Sequence, residues 1–260
     1  MTTGPGDGTR LTRTAVGEGY RTFVAVGGDG TVHEVVNGLF DGTAVTRGSR
    51  LAIVPAGTGM DFARNTGLKR GVAEAARRIA HGREQVLDLG FVPSQRRVFV
   101  NFMETGLGAA VVSRAARMSD SWPGRASFFV SALGAAMREE NSLVEVVVDD
   151  QMLYRGPAVS VVAANGRYFG GGMKIAPNAT MDDGFLDVLV LGNFGRLELV
   201  RQVWKIYPGV HIYHDKVLHT RGRQARVESR SSGLLDLDGE LVGTPNSTVT
   251  LLPGALTVLL

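Results

Sequence analysis

Four short stretches of this chain combine glycine with carboxylate in the way phosphate and metal chemistry requires. In Gly27-Gly28-Asp29-Gly30-Thr31 the glycines let backbone N–H groups approach a phosphate that a β-carbon would hold off, with an aspartate fixed in the middle. The string is also a common turn and by itself carries little weight. A second loop of the same chemistry, Pro55-Ala56-Gly57-Thr58-Gly59, runs directly into Asp61-Phe62-Ala63-Arg64. Asp182-Asp183-Gly184 reads first as a hairpin turn. Its second reading is a carboxylate beside inward carbonyls, the hard oxygen ligands that Mg²⁺ or Ca²⁺ takes. Asp236, Asp238 and Glu240 alternate at a strand end and can share one face. Such a set can hold a metal or raise one carboxylate into the range of a general base.

Loops of this kind need strands to deliver them. Phe23 to Val26 and Leu51 to Val54 are buried-type strands, and Val32 to Phe40, Asp61 to Asn65 and Val72 to Ala80 are helical, so the order up to about His81 predicts a parallel, doubly wound layer. Both glycine loops then leave the carboxyl ends of the strands and face one crevice, with a helix N-terminus to receive an anion. After Gly82 the pattern turns to β: Val86 to Phe91, Arg97 to Phe102, Leu143 to Val148, Ala158 to Ala164, Phe185 to Leu191, Lys216 to Thr220, Ala225 to Glu228, Leu234 to Leu237, Thr248 to Leu252 and Leu256 to Leu260. Helical stretches interrupt it at Ala109 to Met118 with Ala126 to Arg138, and at Arg196 to Ile206. Ten short strands predict a sandwich. The boundary falls near Gly82 to Gln85, giving domains 1–84 and 85–260, with the last strand free to return to the first. Asn165 to Met173, a third glycine cluster, reads as a long connecting loop.

With 44% hydrophobic residues in 260, packed cores are expected and disorder is not. Against 25 acidic residues, 28 basic ones leave only +3, too little for a nucleic-acid binder, though a mildly basic surface suits nucleotides and lipid headgroups. Absence of cysteine excludes disulfides, thiolate metal sites and a cysteine nucleophile. No apolar run reaches the roughly 18 residues of a membrane span. These features fit a cytoplasmic protein that visits the membrane surface peripherally. His211, Tyr213, His214 and His219 cluster, but without cysteine or metal spacing they read as hydrogen-bonded side chains. Trp122, Phe128 and Phe129 among Arg114, Arg117 and Arg125 read first as helix packing and second as a face approaching anionic lipid.

Taken together, GGDGT at 27–31, PAGTGMDFAR at 55–64, GGGMKIAPNATMDDGFLDV at 170–188 and DGE at 238–240 resemble the diacylglycerol kinase catalytic-domain family, which includes bacterial lipid kinases and the sphingosine and ceramide kinases. The blocks stand in family order across nearly the whole chain. The resemblance implies an N-terminal α/β domain like that of NAD kinase and phosphofructokinase, a C-terminal β-sandwich, and ATP and a membrane-derived lipid alcohol meeting between them. By motif, Gly27, Gly28, Asp29, Gly30 and Thr31 would cradle ATP phosphates, joined by Gly57 and Thr58. Asp61 and Arg64 would organise the nucleotide network, and Thr2 matches a threonine near the nucleotide. Asp183 with the carbonyls of Leu186 and Val188 would hold Mg²⁺. Asp238 matches the proposed general base, with Glu240 beside it.

Two departures accompany the resemblance. Met60 stands where the family usually carries asparagine, replacing a polar side chain with a thioether that donates no hydrogen bond. A leading strand and Asn-Pro-x-x-Gly loop are also not found before the helix-like segment Gly8 to Gly17, so a truncated nucleotide domain is expected. Two alternatives stay open: an enzyme like NAD kinase, which shares the first loop, and an inactive homologue that binds lipid.

Overall fold

The computed structural model describes residues 2–57, 59–118, 134, 140–230 and 233–260. Thr58 lies outside them, as do Trp122, Arg125, Phe128, Phe129 and the side chains of Arg114 and Arg117.

The chain opens with α1 (Asp7–Gly17), β1 (Thr22–Gly27), α2 (Asp29–Leu39), β2 (Arg50–Pro55), α3 (Asp61–Asn65) and α4 (Val72–His81). Strands β1 and β2 pair in parallel from Thr22 opposite Arg50 to Gly27 opposite Pro55, so both glycine loops leave the same sheet edge. Val32, Val35, Val36 and Leu39 form the inward stripe of α2 and close over Phe23, Ala25, Leu51 and Ile53.

The remainder is β3 (Glu84–Val92), β4 (Arg97–Phe99), β5 (Phe102–Gly106), α5 (Leu107–Met118), β6 (Ser142–Val148), β7 (Gln151–Ala158), β8 (Ser160–Ala164), β9 (Leu186–Leu191), α6 (Arg196–Ile206), β10 (Val217–Gly222), β11 (Gln224–Ser229), β12 (Leu235–Leu237), β13 (Glu240–Val242) and β14 (Ser247–Leu259). One sheet runs β1-β2-β14-β11-β6-β7, with β3 on β14 and β4 on β3; the other runs β10-β9-β8-β5-β12-β13. Between them lies an apolar core that includes Val146, Val227, Val249, Met103, Val161, Leu186, Val188, Leu235 and Leu237. The far face of the second sheet is covered by Leu199 and Ile206 of α6 and by Phe169, Met173 and Ile175 of the glycine-rich loop. The architecture is an α/β lobe followed by a β-sandwich. Among the described residues, no helix is long and apolar enough to cross a membrane.

Strands β7, β13 and β14 differ from the sequence expectation, and the strand expected over Arg97 to Phe102 divides into β4 and β5. Thr248 to Leu252 and Leu256 to Leu260 are one strand, β14, because the Pro253-Gly254 break is absorbed as a register shift against β3 between Leu252 and Leu256. Gly254 takes φ 59° there, and its N–H meets Asp88 Oδ1 at 2.7 Å. The C-terminal end of β14 pairs with β2 at Thr257–Arg50 and Val258–Leu51, so this strand belongs to both lobes. Strand β7 was not among the expected ten. It follows a two-residue turn, Asp149-Asp150, with φ 45° and 66°, the left-handed pair of a tight hairpin turn.

Candidate active site

The two glycine loops pack backbone on backbone. A β-carbon on Gly57 would lie 2.4 Å from Gly28 Cα, and one on Gly28 would lie 2.5 Å from the Gly59 carbonyl oxygen. Glycine at 28 and 57 is therefore required by loop contact as well as by any ligand. Gly30 differs, since a β-carbon there meets nothing within 4 Å and the position is open.

Asp29, at the start of α2, spends its carboxylate on the neighbouring loop: Asp61 N–H donates to Oδ2 and Phe62 N–H to Oδ1, each at 2.9 Å. It caps α3 from outside, satisfying amides that Met60 at the cap position cannot reach with a thioether. Burial pushes the Asp29 carboxyl up to about 6, with repulsion from Asp61 and Asp238 adding to it and the two amides opposing. Asp61 accepts from Gly171 N–H at 2.7 Å and from Arg64 at 2.5 Å, while burial raises its pKa. Asn65, four residues on, accepts the N–H groups of Arg167 and Tyr168 and donates to Asn101 Oδ1. The third glycine cluster is thus held by α3, and a β-carbon on Gly166 would strike the Asn65 side chain.

Asp238 and Gly239 form the two-residue turn between β12 and β13, with φ 55° and 96°. The turn aims the Asp238 carboxylate into the protein, where its side chain is 0% exposed. Oδ1 accepts Asn101 and Phe102 N–H at 2.8 and 3.1 Å, Oδ2 accepts Val100 N–H at 2.7 Å, and His33 Nδ1 of α2 lies 3.1 Å from Oδ2. Because Asn101 also touches Asn65, one hydrogen-bonded network runs from Asp29 to Asp238. His33 Nε2 is buried with no hydrogen-bond partner among the described residues. Glu240, two residues past Asp238, is half-buried and, with His33, Glu34, Asn37 and Arg97, lines a cavity of about 840 Å³ between α1, α2 and the turn before β4.

Thr31 sits over Gly27, and Thr2 is exposed ahead of α1. The Asp183 carboxylate is paired with Arg221, and Val188 is flanked by ladder partners on both sides, so its carbonyl is spent in the sheet. Among the described residues, no three His, Asp or Glu side chains are placed to hold a metal. The clustered histidines each have a partner: His211 with Ile175 O, His214 with Asp215, and His219 with Asp187.

Sequence reasoning missed His33. Its signal was the i, i+4 pair His33 and Asn37 beside an apolar helical stripe. Both are buried, and Asn37 bonds the N–H and C=O of Val98 in β4. Also missed was the opposition of Glu104 and Asp236, directly paired across β5 and β12 and both buried. Burial pushes Glu104 up to about 7; Asp236 is raised well above its ordinary value by burial and by Glu104.

Glycine loops on one sheet edge, held by buried carboxylates to α3 and to the glycine-rich loop of the second lobe, define a two-lobed protein that joins an α/β lobe to a β-sandwich. Residues 1–92 match the diacylglycerol kinase catalytic domain, and residues 101–260 match the YegS C-terminal NAD kinase beta sandwich-like domain. The chain belongs to the diacylglycerol kinase catalytic-domain family. It is 31% identical over 258 residues to a diacylglycerol kinase of Mycobacterium tuberculosis H37Rv, covering 97% of this chain and 81% of that one. With a diacylglycerol kinase of Bacillus subtilis it shares 27% over 243 residues, 93% of this chain and 78% of the relative. The crystal structure of a diacylglycerol kinase from Bacillus anthracis superposes with a TM-score of 0.79 at 27% identity, covering 99% of this chain and 83% of that one.

Proposed function

We propose that this chain is an ATP-dependent lipid kinase that transfers the γ-phosphoryl group to a lipid hydroxyl, with diacylglycerol as the acceptor and phosphatidic acid as the product. The observation that carries the reading is the pairing of a sealed carboxylate, Asp238, with an accessible one, Glu240, on the same hairpin. Family membership and the names of the relatives support a lipid alcohol as acceptor.

Phosphoryl transfer asks the protein mainly for positioning and charge neutralisation. The first loop, with Gly30 open at the start of α2, receives the polyphosphate. Asp29 and Asp61 hold the second loop and the glycine-rich loop in place around it. The acceptor enters the cavity beside α1 and α2, whose volume is in the usual range for a small-molecule pocket. Glu240 takes the hydroxyl proton as the oxygen attacks the γ-phosphorus and ADP leaves. This assignment moves the proton acceptor from Asp238, whose oxygens already hold three amides and His33, to its neighbour. Asp238 acts as a positioning residue for the turn and for residues 100–102.

Glu240→Gln, assayed with ATP and a short-chain diacylglycerol, is expected to lose about 10²- to 10⁴-fold in kcat while ATP binding and folding persist. Near-normal turnover in that variant removes Glu240 from the role. Phosphorylation of NAD in preference to lipid in the same assay removes the lipid reading.

A further inference from the structure

Helix α6 buries Leu199, Val203 and Ile206 and turns a second, apolar face outward. Leu197 is 71% and Trp204 62% exposed, and with Arg201 and Pro208 they fall on one line at spacings of four, three and four. The following turn, Val210–Tyr213, continues the surface with Val210 at 46% and Tyr213 at 84% exposed. Basic residues border it: Arg196, Arg201 and Lys205 are all exposed. The nearby carboxylates are engaged, Glu198 with Lys216 at 2.6 Å, Asp215 with His214 at 2.8 Å, and Glu140 with Arg196 at 3.9 Å. Arg201 and Lys205 have no carboxylate within 4 Å among the described residues.

We propose that this face docks on the surface of an anionic lipid bilayer. Trp and Tyr place an apolar ring at headgroup level with a polar tip toward water, and Arg and Lys stems lie along the apolar layer while their charges reach lipid phosphates. At 11 residues the helix is too short to span, and its mixture of aromatic and singly signed basic residues is that of a helix lying in the interface plane. The face is also joined to the candidate active site. Lys174 N–H donates to Ile206 O at 3.1 Å, and three residues earlier on the same loop Gly171 N–H meets Asp61. A bilayer under α6 therefore lies one loop from the clamped glycine loops.

The test uses the full chain and sedimentation with vesicles, without ATP. Vesicles of phosphatidylcholine with about one third phosphatidylglycerol are expected to bind the protein, and vesicles of phosphatidylcholine alone to bind it far more weakly. Arg201→Gln with Lys205→Gln should lower partitioning roughly 30-fold, at about 1 kcal/mol per basic residue. Trp204→Ala should lower it about tenfold, and Arg155→Gln, on β7, should leave it unchanged. Equal binding to both vesicle types, or unchanged partitioning in the Gln pair and in Trp204→Ala with circular dichroism intact, overturns the proposal. So does a dimer that dissociates in Trp204→Ala while vesicle binding persists, since the face then receives a second copy. Docking is read without turnover, so a chain that binds vesicles but phosphorylates no lipid overturns the reaction proposed above and leaves this face standing, and the reverse outcome does the opposite.

Discussion

Replacing Glu104 by glutamine isolates the cost of burying a carboxylate opposite Asp236. Glu104 accepts from Ser160 Oγ and from Gly108 N–H at 2.8 Å through Oε1, while Oε2 is buried with no partner. Burial raises its pKa from an ordinary 4.5 to about 7. The folded state therefore holds this proton more tightly than the unfolded chain does. The stability it contributes is fully present below pH 4.5 and is lost as pH rises through 7. At about 1.4 kcal/mol per pKa unit the swing is about 3 kcal/mol, a large share of the usual stability of a domain. Asp236 shifts in the same direction, partly because Glu104 faces it. Glu104→Gln keeps the shape, removes one charge and relieves the other. Urea unfolding at intervals from pH 5 to 8 should show the wild type losing stability steeply and the variant much less, with the variant the more stable by up to about 3 kcal/mol at pH 8. Parallel profiles, or a variant less stable at pH 8, would refute the reasoning.

Gly57→Ala forces a β-carbon onto Gly28 and should cost both stability and ATP binding, whereas Gly30→Ala should fold normally, as thermal unfolding of the pair will show. Asp29→Ala strips the acceptor from two amides at α3; it should cost about 1–3 kcal/mol and abolish ATP binding by calorimetry, and unchanged affinity would separate this loop from the nucleotide. Asp238→Asn sets an amide donor among converging N–H groups and should destabilise the fold by about 1–3 kcal/mol in denaturant titration, while Glu240→Gln should not.

The α/β lobe was readable because α2 has an unbroken apolar stripe and because β1 and β2 empty directly into glycine loops. The site was readable by residue type more than by reason. Gly28 and Gly57 stand where expected, yet loop contact alone already excludes a side chain there, which depends on a neighbour some thirty residues away. Asp236 to Glu240 looked like a strand end with three carboxylates on one face. The positive φ of Asp238 and Gly239 makes it a hairpin turn, separating a buried Asp238 from a cavity-lining Glu240. Asp183 was legible as a turn residue, but its partner Arg221 is 38 positions distant and comes alongside only when β10 pairs with β9. Pro253-Gly254 read as a break because local propensity cannot show that β3 accepts a bulge.

Strand β14 also orders events during biosynthesis. It follows every other strand of its sheet in the chain, and it fills a position between β2 and the remainder of that sheet. The N-terminal lobe must wait with an open flank until β14 has been made, leaving β2 transiently exposed to pairing with other nascent chains. Both lobes are thus completed by one strand.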